Sequence, residues 1–216
     1  YILLEMSRVK KIILPTDWNE VTIDQYREVW KVYERETEPY NAVRRAIEVL
    51  AGLEQGELQH AEWTSIEHSA NIIHWFLQEP DASTMKMPLQ TLIDHKGQRY
   101  GFIPDWTKLT VGEFADLESY CQDGTFDNLH KIMAVLYRPV YVETYSAYEI
   151  ALYDVDKKRQ EDMRELTMDV AMGALVFFCN IEKELAITMQ ASSKLKGQTK
   201  RRESVLNGVG TPSSTN

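Results

Sequence analysis

The sequence has only two cysteines, Cys121 and Cys179, and they do not form a Cys-x-x-Cys motif. A disulfide framework or a cysteine-based zinc site would need more thiols at closer spacing, so the sequence excludes both. Both cysteines lie in apolar stretches of helical character. We therefore expect two buried thiols in a reducing compartment.

The sequence also lacks the short motifs that signal nucleotide binding or covalent catalysis. It contains no Gly-x-x-x-x-Gly-Lys-(Ser/Thr), no Gly-x-Gly-x-x-Gly and no Gly-x-Ser-x-Gly. Its five histidines show no His-Glu-x-x-His spacing and no doublet of Glu-x-x-His motifs of the di-iron type. We expect no catalytic residue, no cofactor and no metal ion, and so not an enzyme. A nucleophilic Cys121 with a distant histidine is the alternative, and no motif supports it.

No stretch of the sequence is long and apolar enough for a membrane span, which needs roughly 18 to 20 residues. The most apolar stretch, residues 170–181, is shorter and continues into charged residues. Residues 1–6 lack the basic start of a signal peptide, so we expect none. With 44% hydrophobic and 26% charged residues, the composition is ordinary for a globular protein, and we expect no membrane partner.

Positive charge is scarce except at the C-terminus. The whole chain carries a net charge of −9. Residues 192–216 contain five basic residues and one acidic residue, which gives +4 and leaves −13 for residues 1–191. An acidic body argues against nucleic-acid binding, so nucleic acid is expected to be bound only through the tail, if at all. This tail is rich in Gly, Ser and Thr, and we expect it to be flexible or to dock on an acidic neighbour.

Two segments, residues 17–26 and 105–114, share the pattern Asp-Trp-x-x-apolar-Thr-apolar-x-(Gln/Glu)-aromatic. The shared positions are those that begin a helix. Thr22 and Thr110 are predicted N-caps, and the Gln or Glu three residues later is placed to complete a capping box. The residue before each threonine is predicted to contact the aromatic residue as a hydrophobic staple. The tryptophan of each copy is predicted to fill the core between strand and helix rather than to stack on a ligand.

Hydrophobic periodicity predicts a mainly helical fold with a small β element, built from duplicated strand-helix-helix units. The predicted elements are a strand at 8–14, helices at 23–36, 41–52, 62–78, 111–122 and 126–138, a β-hairpin near 91–103, a partly helical segment at 141–153 and a long C-terminal helix at 155–190. The predicted domains are a first helical unit with the hairpin at 1–103, a second unit with the long helix at 104–191, and a flexible basic tail at 192–216.

Residues 137–153 are rich in tyrosine, which is favoured at protein interfaces, as is arginine. So many hydroxyls are hard to satisfy in a core, although ordinary half-buried packing is the alternative. In the predicted long helix, Phe177 and Phe178 point about 100° apart and broaden its apolar surface, while small residues at 171–174 allow close approach of another helix. The predicted interface residues are Tyr137, Arg138, Tyr141, Tyr145, Tyr148, Phe177, Phe178, Lys194, Lys196, Lys200, Arg201 and Arg202.

Residues 108–117, Lys-Leu-Thr-Val-Gly-Glu-Phe-Ala-Asp-Leu, and residues 131–139, Lys-Ile-Met-Ala-Val-Leu-Tyr-Arg-Pro, carry a resemblance to a known group of proteins. They resemble segments of small helical proteins encoded in the head and tail module of tailed bacteriophages, such as the crAss-like or related short-tailed phages. The resemblance implies a virion component, such as a ring or collar subunit near the portal and tail, or a tail-assembly factor. It implies a cyclic homo-oligomer or an adaptor, whose partners are further copies and virion proteins such as portal or tail subunits.

We therefore expect a non-enzymatic virion structural protein, made in the host bacterial cytoplasm, that acts through protein–protein contacts. Two alternatives stay open, an assembly chaperone absent from the mature particle and a helical regulator that binds nucleic acid through its basic tail. A chaperone would be missing from purified virions. A regulator would bind duplex with a salt dependence set by a few phosphate contacts of the tail.

Overall fold

The computed structural model describes residues 2–6, 9–76 and 87–178, with side chains described from residue 12 onward. Contacts divide the chain into two units, Tyr1–Ala174 and Leu175–Asn216, and the fold below is that of the first. The predicted domain boundaries at residues 103 and 191 stay a prediction, and the basic tail lies outside the described residues.

The first copy of the repeated motif follows a β-hairpin and begins the first of three helices. In chain order these elements are β1 (Ile2–Met6), β2 (Val9–Leu14), a 3-10 turn (Trp18–Glu20), α1 (Ile23–Arg35), α2 (Pro39–Leu50) and α3 (Trp63–Ile72). The sequence predicted β2 and the three helices, whereas β1 was not predicted. β1 pairs antiparallel with β2, and α2 packs against both α1 and α3.

The second copy repeats this order of elements. They are β3 (Leu92–His95), β4 (Gln98–Phe102), a 3-10 turn (Trp106–Lys108), α4 (Val111–Gln122) and α5 (Leu129–Leu136). The hairpin predicted near residues 91–103 is present, and it turns through Lys96 and Gly97, which have φ angles of 48° and 76°. Strand, 3-10 turn and two helices therefore follow one another in both copies.

The helix starts of both copies carry the predicted capping boxes. Thr22 Oγ1 accepts a hydrogen bond from the Gln25 backbone N–H at 3.2 Å, and the Gln25 side chain accepts from the Thr22 N–H at 3.0 Å. In the second copy, Thr110 Oγ1 accepts from the Glu113 N–H at 3.3 Å, and Glu113 accepts from the Thr110 N–H at 2.6 Å. The local pattern thus determines where both helices begin.

The aromatic residues of the two copies differ in burial. Trp18 is 7% exposed and packs on Tyr26, which is 2% exposed, so both are core residues of the first copy. Trp106 is half-buried, with its ring 5.6 Å from that of Phe102. Phe114, the predicted staple residue of the second copy, is 46% exposed. The first copy therefore buries its aromatic residues more completely than the second.

The predicted fold class, mainly α with a small β element, is wrong. The described residues form seven helices and a four-stranded antiparallel sheet in the order β3-β4-β5-β6, so the fold is mixed α and β. Strands β5 (Tyr137–Glu143) and β6 (Tyr148–Ile150) stand where the end of a helix and a partly helical segment were predicted. The β-branched and aromatic residues at 140–142 favour an extended chain, and Pro139 keeps the residue before it out of the α region.

The long helix predicted at residues 155–190 is interrupted. Helix α6 (Lys157–Asp162) ends in a 3-10 turn (Met163–Glu165). The chain is then extended up to Thr167, and a new helix, α7, covers residues 168–178 in the described part of the chain. The charged first half and the apolar second half of the predicted helix are therefore two separate helices.

A third copy of the helix-start motif explains the interruption. Residues 162–169, Asp-Met-Arg-Glu-Leu-Thr-Met-Asp, match residues 17–24, Asp-Trp-Asn-Glu-Val-Thr-Ile-Asp, in both Asp positions, in Glu and in Thr. Each copy forms a 3-10 turn, an extended apolar residue, a threonine and a helix. This copy was not predicted from the sequence, because Met163 replaces the tryptophan that marks the other two.

The first and third helix starts hold each other across a short antiparallel bridge. The Ile23 N–H donates to the Leu166 carbonyl at 2.9 Å, and the Met168 N–H donates to the Val21 carbonyl at 2.8 Å. The threonines of the two motifs lie opposite each other in this bridge. The first N–H groups of a helix have no partner within the helix, so each start supplies an acceptor that the other needs. We call this contact the helix-start clasp.

An irregular segment of the chain crosses α7 at Gly173. A Cβ atom at Gly173 would lie 2.7 Å from the carbonyl oxygen of Pro88. The segment is held by the Tyr137 hydroxyl, which donates to the Gln90 carbonyl at 2.7 Å, and by the Gln90 amide, which donates to Asp169 at 3.1 Å. At Gly173 the close neighbour is therefore an extended segment of the same chain rather than the helix that was predicted.

Two helical glycines give a matched test of this crossing. We expect Gly173→Ala to lower the free energy of unfolding by about 1–3 kcal/mol, because the added methyl group overpacks against backbone that cannot move aside easily. Gly112→Ala in α4 should have the opposite sign, since its nearest neighbour is 3.8 Å away, and should raise stability by up to about 1 kcal/mol. Urea unfolding of both variants measures the two effects. A stabilising Gly173→Ala substitution would contradict the close crossing.

Candidate interaction surface

Two of the predicted interface residues lie inside the protein. Tyr137 is fully buried, and burial raises the pKa of its hydroxyl, which donates to the Gln90 carbonyl at 2.7 Å. Arg138 is 8% exposed and faces helix α4. Both side chains therefore link elements within the first unit and are not part of its exposed surface.

The Glu113 carboxylate joins α4 to strand β5. One oxygen accepts hydrogen bonds from the Thr110 N–H and hydroxyl, each at 2.6 Å, and the other lies 2.8 Å from Arg138 Nη2. Burial lowers the pKa of Arg138, and the Glu113 carboxylate opposes this shift. The first copy has the neutral Gln25 at the equivalent position, with its amide donating to the Leu50 carbonyl at 3.4 Å. The cap of the first copy forms without a negative charge, so the charge of Glu113 stabilises Arg138 and is not needed for the cap.

Tyr148 packs across the sheet. Its hydroxyl donates to the Phe102 carbonyl at 2.8 Å. Its ring lies over Gly101, where a Cβ atom would be 2.6 Å from the ring. The side chain is half-buried, and burial raises its pKa. Glycine at position 101 is thus what allows the Tyr148 ring of β6 to reach β4, past the strand β5 between them.

Two other predicted tyrosines are on the surface of the β5–β6 hairpin. Tyr145 lies in its turn and is fully exposed, with a relative exposure of 108%. Tyr141 is 65% exposed, and its hydroxyl donates to Glu149 across the hairpin at 2.6 Å. Val142 beside it is also exposed. The outer half of this hairpin therefore presents aromatic and apolar side chains that a partner could cover.

The remaining predicted residues lie in or near α7 and in the tail. Phe178 is buried and Phe177 is 37% exposed, both in the last described turn of α7. The five basic residues of the tail lie outside the described residues. The prediction that these seven residues contact a partner stays a prediction.

Sequence reasoning missed a set of exposed apolar residues on and beside α4. Val111 is 87% exposed and Phe114 is 46% exposed, and they are neighbours three residues apart along one side of α4. Leu152 and Val155, in the irregular segment before α6, are 90% and 60% exposed. We call Val111, Phe114, Leu152 and Val155 the α4 surface. The sequence pattern did not identify this surface, because Phe114 also fits a hydrophobic staple, in which it would be covered.

Tyr153 fixes the segment that carries Leu152 and Val155 against α4. Its ring lies 3.8 Å from the position of a Cβ atom on Gly112, and its hydroxyl donates to the Asp116 carboxylate. Burial, then this hydrogen bond, raises the pKa of Tyr153. Leu152 and Val155 flank this anchor. The segment is therefore fixed along α4 with its apolar side chains directed outward.

His130 lies in α5 and is buried. Burial lowers its pKa from 6.5 to about 4, and the positive charges of Arg164, Arg27 and Lys131 lower it further. It is therefore neutral at pH 7. Within the described ranges, no group of three or more His, Cys, Asp or Glu side chains could hold a metal ion. No helix in those ranges is long and apolar enough to cross a membrane.

Comparisons of the chain with protein-family models, with curated proteins and with solved structures found no match. The exposed residues of the α4 surface and the β5–β6 hairpin are the ones that a binding partner would reach.

The capping residues of the two copies allow a matched test of the Glu113–Arg138 pair. Glu113→Gln retains the cap but leaves Arg138 buried without a carboxylate, and we expect it to lower stability by roughly 3 kcal/mol. Gln25→Glu also retains a capping box, and it should cost about 1 kcal/mol or less. Chemical unfolding of both variants gives the comparison. Equal losses in the two copies would show that the ion pair contributes nothing beyond the cap.

The buried His130 predicts a loss of stability in acid. Its pKa is about 4 in the folded protein and 6.5 in the unfolded chain, so its stability contribution is complete above pH 6.5 and is lost as the pH falls towards 4. The lost contribution is about 3 kcal/mol. Urea unfolding at pH 7 and pH 4 should therefore show a larger loss for the native sequence than for His130→Met, in which this titration is absent. Identical pH dependence in the two proteins would refute the assignment.

Proposed function

We propose that this chain is a non-enzymatic structural protein of a tailed-bacteriophage virion, a ring, collar or adaptor subunit near the portal and tail. It acts through protein–protein contacts with further copies of itself and with portal or tail subunits. The observation that carries the proposal is the α4 surface, whose four large apolar side chains are exposed on one helix and on the segment fixed beside it. Val111 and Phe114 are also neighbours on α4, and adjacent exposed apolar groups are typical of interaction sites.

The number of apolar side chains in the α4 surface limits the free energy of the contact that it can form. Burying a large apolar side chain completely contributes about 1.5–3 kcal/mol. Four such side chains, already partly buried, would contribute several kcal/mol, which is comparable with the lower part of the ~4–15 kcal/mol cost of association. One such contact is weak by itself. A ring suits a weak contact, because each subunit forms two contacts and closure makes the last one intramolecular.

The virion setting is supported by the resemblance described above. The first resembling segment, residues 108–117, includes Val111 and Phe114 of the α4 surface. The second, residues 131–139, includes most of α5 and the Arg138 that pairs with Glu113 behind this surface. The residues that carry the resemblance are thus those that form and support the proposed contact.

The proposal predicts where the protein is found and which substitutions remove it. Mass spectrometry of purified particles from the source should detect the chain in multiple copies per particle. A Val111→Ser/Phe114→Ser double variant, supplied in place of the native protein, should fold but be depleted from particles at least tenfold. Ala115→Ser, on the same exposed side of α4, is the matched control and should be incorporated normally.

Three outcomes would count against the proposal. Absence of the chain from mature particles, with recovery on unassembled tail proteins, would identify an assembly chaperone instead. Duplex binding that weakens steeply with salt and requires the tail would identify a nucleic-acid regulator. Normal incorporation of the double variant would leave the α4 surface without a role in assembly.

A further inference from the structure

A cleft on the first helix pair has the composition of a peptide-binding site. Its volume is about 550 Å³, and it lies between the first turns of α2 and α3 and the loop that joins them. Tyr40 and Trp63 form its rim, with ring centroids 4.9 Å apart and ring planes at 88°, and they are 67% and 49% exposed. Leu58 and Ile66 are buried beneath it. We call this feature the aromatic cleft.

The loop wall of the aromatic cleft is fixed by one buried carboxylate. Glu48 is completely buried and accepts hydrogen bonds from Arg44 at 2.6 Å and Arg45 at 2.7 Å. It also accepts from the backbone N–H groups of Gly56 at 3.1 Å and Leu58 at 3.0 Å. The Glu48 carboxylate therefore connects two arginine side chains and two backbone N–H groups within one short stretch, so the cleft is formed before any ligand binds. Preformed sites bind more tightly because less has to be ordered on binding.

The polar groups of the cleft match an extended peptide that carries a carboxylate. Among the described residues that line it, Arg44 is the only charged one, and Glu48 uses only one of the two terminal nitrogens of its guanidinium. The side-chain amides of Asn41, Gln55 and Gln59 also line the cleft, and an amide can both donate to and accept from a peptide backbone. Aromatic rims hold apolar side chains. The ligand would thus combine apolar side chains with an acidic one.

The same chain exposes a segment of this kind. Residues 151–156, Ala-Leu-Tyr-Asp-Val-Asp, form no helix or strand. Leu152 and Val155 are 90% and 60% exposed. The side chain of Asp154 between them is 68% exposed, although one of its oxygens pairs with Arg159 at 2.9 Å. Tyr153 anchors the segment to α4 through Asp116, so its position is also set in advance. The segment is acidic where the cleft is basic.

We propose that the aromatic cleft of one copy binds residues 151–156 of a second copy, with Leu152 or Val155 against Tyr40 and Trp63 and an aspartate facing Arg44. This inference rests on the proposed self-association and names the contact that produces it. The two contacting patches are different surfaces of the subunit, so the contact is head-to-tail. Head-to-tail contacts produce a closed ring when the rotation closes, and an open filament when it does not.

A mixing experiment separates a head-to-tail contact from a symmetric one. Trp63→Ala removes the cleft rim and leaves the segment intact, whereas Leu152→Ser/Val155→Ser alters the segment and leaves the cleft intact. By light scattering, the native protein should form oligomers whose size rises with concentration, and each variant alone should be a monomer. An equimolar mixture of the two should form a dimer, because it retains one intact cleft and one intact segment. A symmetric contact would not be restored by mixing.

Controls keep the test decisive. Circular dichroism establishes that each variant is folded, and Tyr40→Ala replaces Trp63→Ala if the latter is not. The Val111→Ser/Phe114→Ser variant should still form oligomers, because its cleft and segment are intact. Its depletion from particles would then reflect a contact of Val111 and Phe114 with portal or tail subunits. A synthetic peptide of residues 151–156 should change the tryptophan fluorescence of the native protein and not that of Trp63→Ala.

Several results would overturn the inference, and they differ from those that overturn the proposed function. A mixture that stays monomeric, or a native protein that is monomeric up to about 1 mM, would exclude this contact. Detection of the chain in virions would then still support a structural role, with a different partner at the cleft. Absence from virions together with a restored dimer would leave the contact standing and remove the virion role.

Discussion

The helix-start clasp is the contact on which the arrangement of the first unit depends. It joins Val21 and Ile23 to Leu166 and Met168 through two hydrogen bonds of 2.9 and 2.8 Å. All four are backbone groups at helix starts, where a donor without a partner costs free energy when it is buried. Satisfying both starts at once requires α1 and α7 to meet at one place and in one register. The sheet and α4–α6 are formed by the chain that connects these two points.

The parts of the fold that follow from local sequence were predicted correctly. The capping boxes at Thr22 and Thr110 depend on residues three positions apart, and both are present. The errors occur where distant residues decide the outcome. Residues 137–143 are a strand because β4 lies beside them, and the predicted long helix stops where Thr167 meets Thr22. The third motif copy could have been recognised from its shared Asp, Glu and Thr residues, but it has methionine in place of the tryptophan.

The candidate surfaces were harder to predict than the fold. Composition identified a tyrosine-rich region, but a tyrosine serves equally well as a core residue with a bonded hydroxyl, like Tyr137, or as an exposed one, like Tyr145. Phe114 fitted a staple and is nearly half exposed, because the buried face of α4 is centred on Glu113 and Leu117 and Phe114 lies at its edge. The aromatic cleft depends on Glu48, whose role follows from a loop that folds back on it. None of these outcomes follows from residue type alone.

The compactness of the Glu48 network has a consequence for the order of events during synthesis. Its donors all lie between Arg44 and Leu58, so this part of the chain contains everything needed to tie the loop. The clasp, by contrast, must wait until Thr167 has left the ribosome, because chains are made from the N-terminus. A nascent chain thus completes its aromatic cleft before its own residues 151–156 exist. In the proposed head-to-tail contact, the first such segment available to that cleft belongs to a finished copy, so assembly would begin while the newest subunit is still being translated.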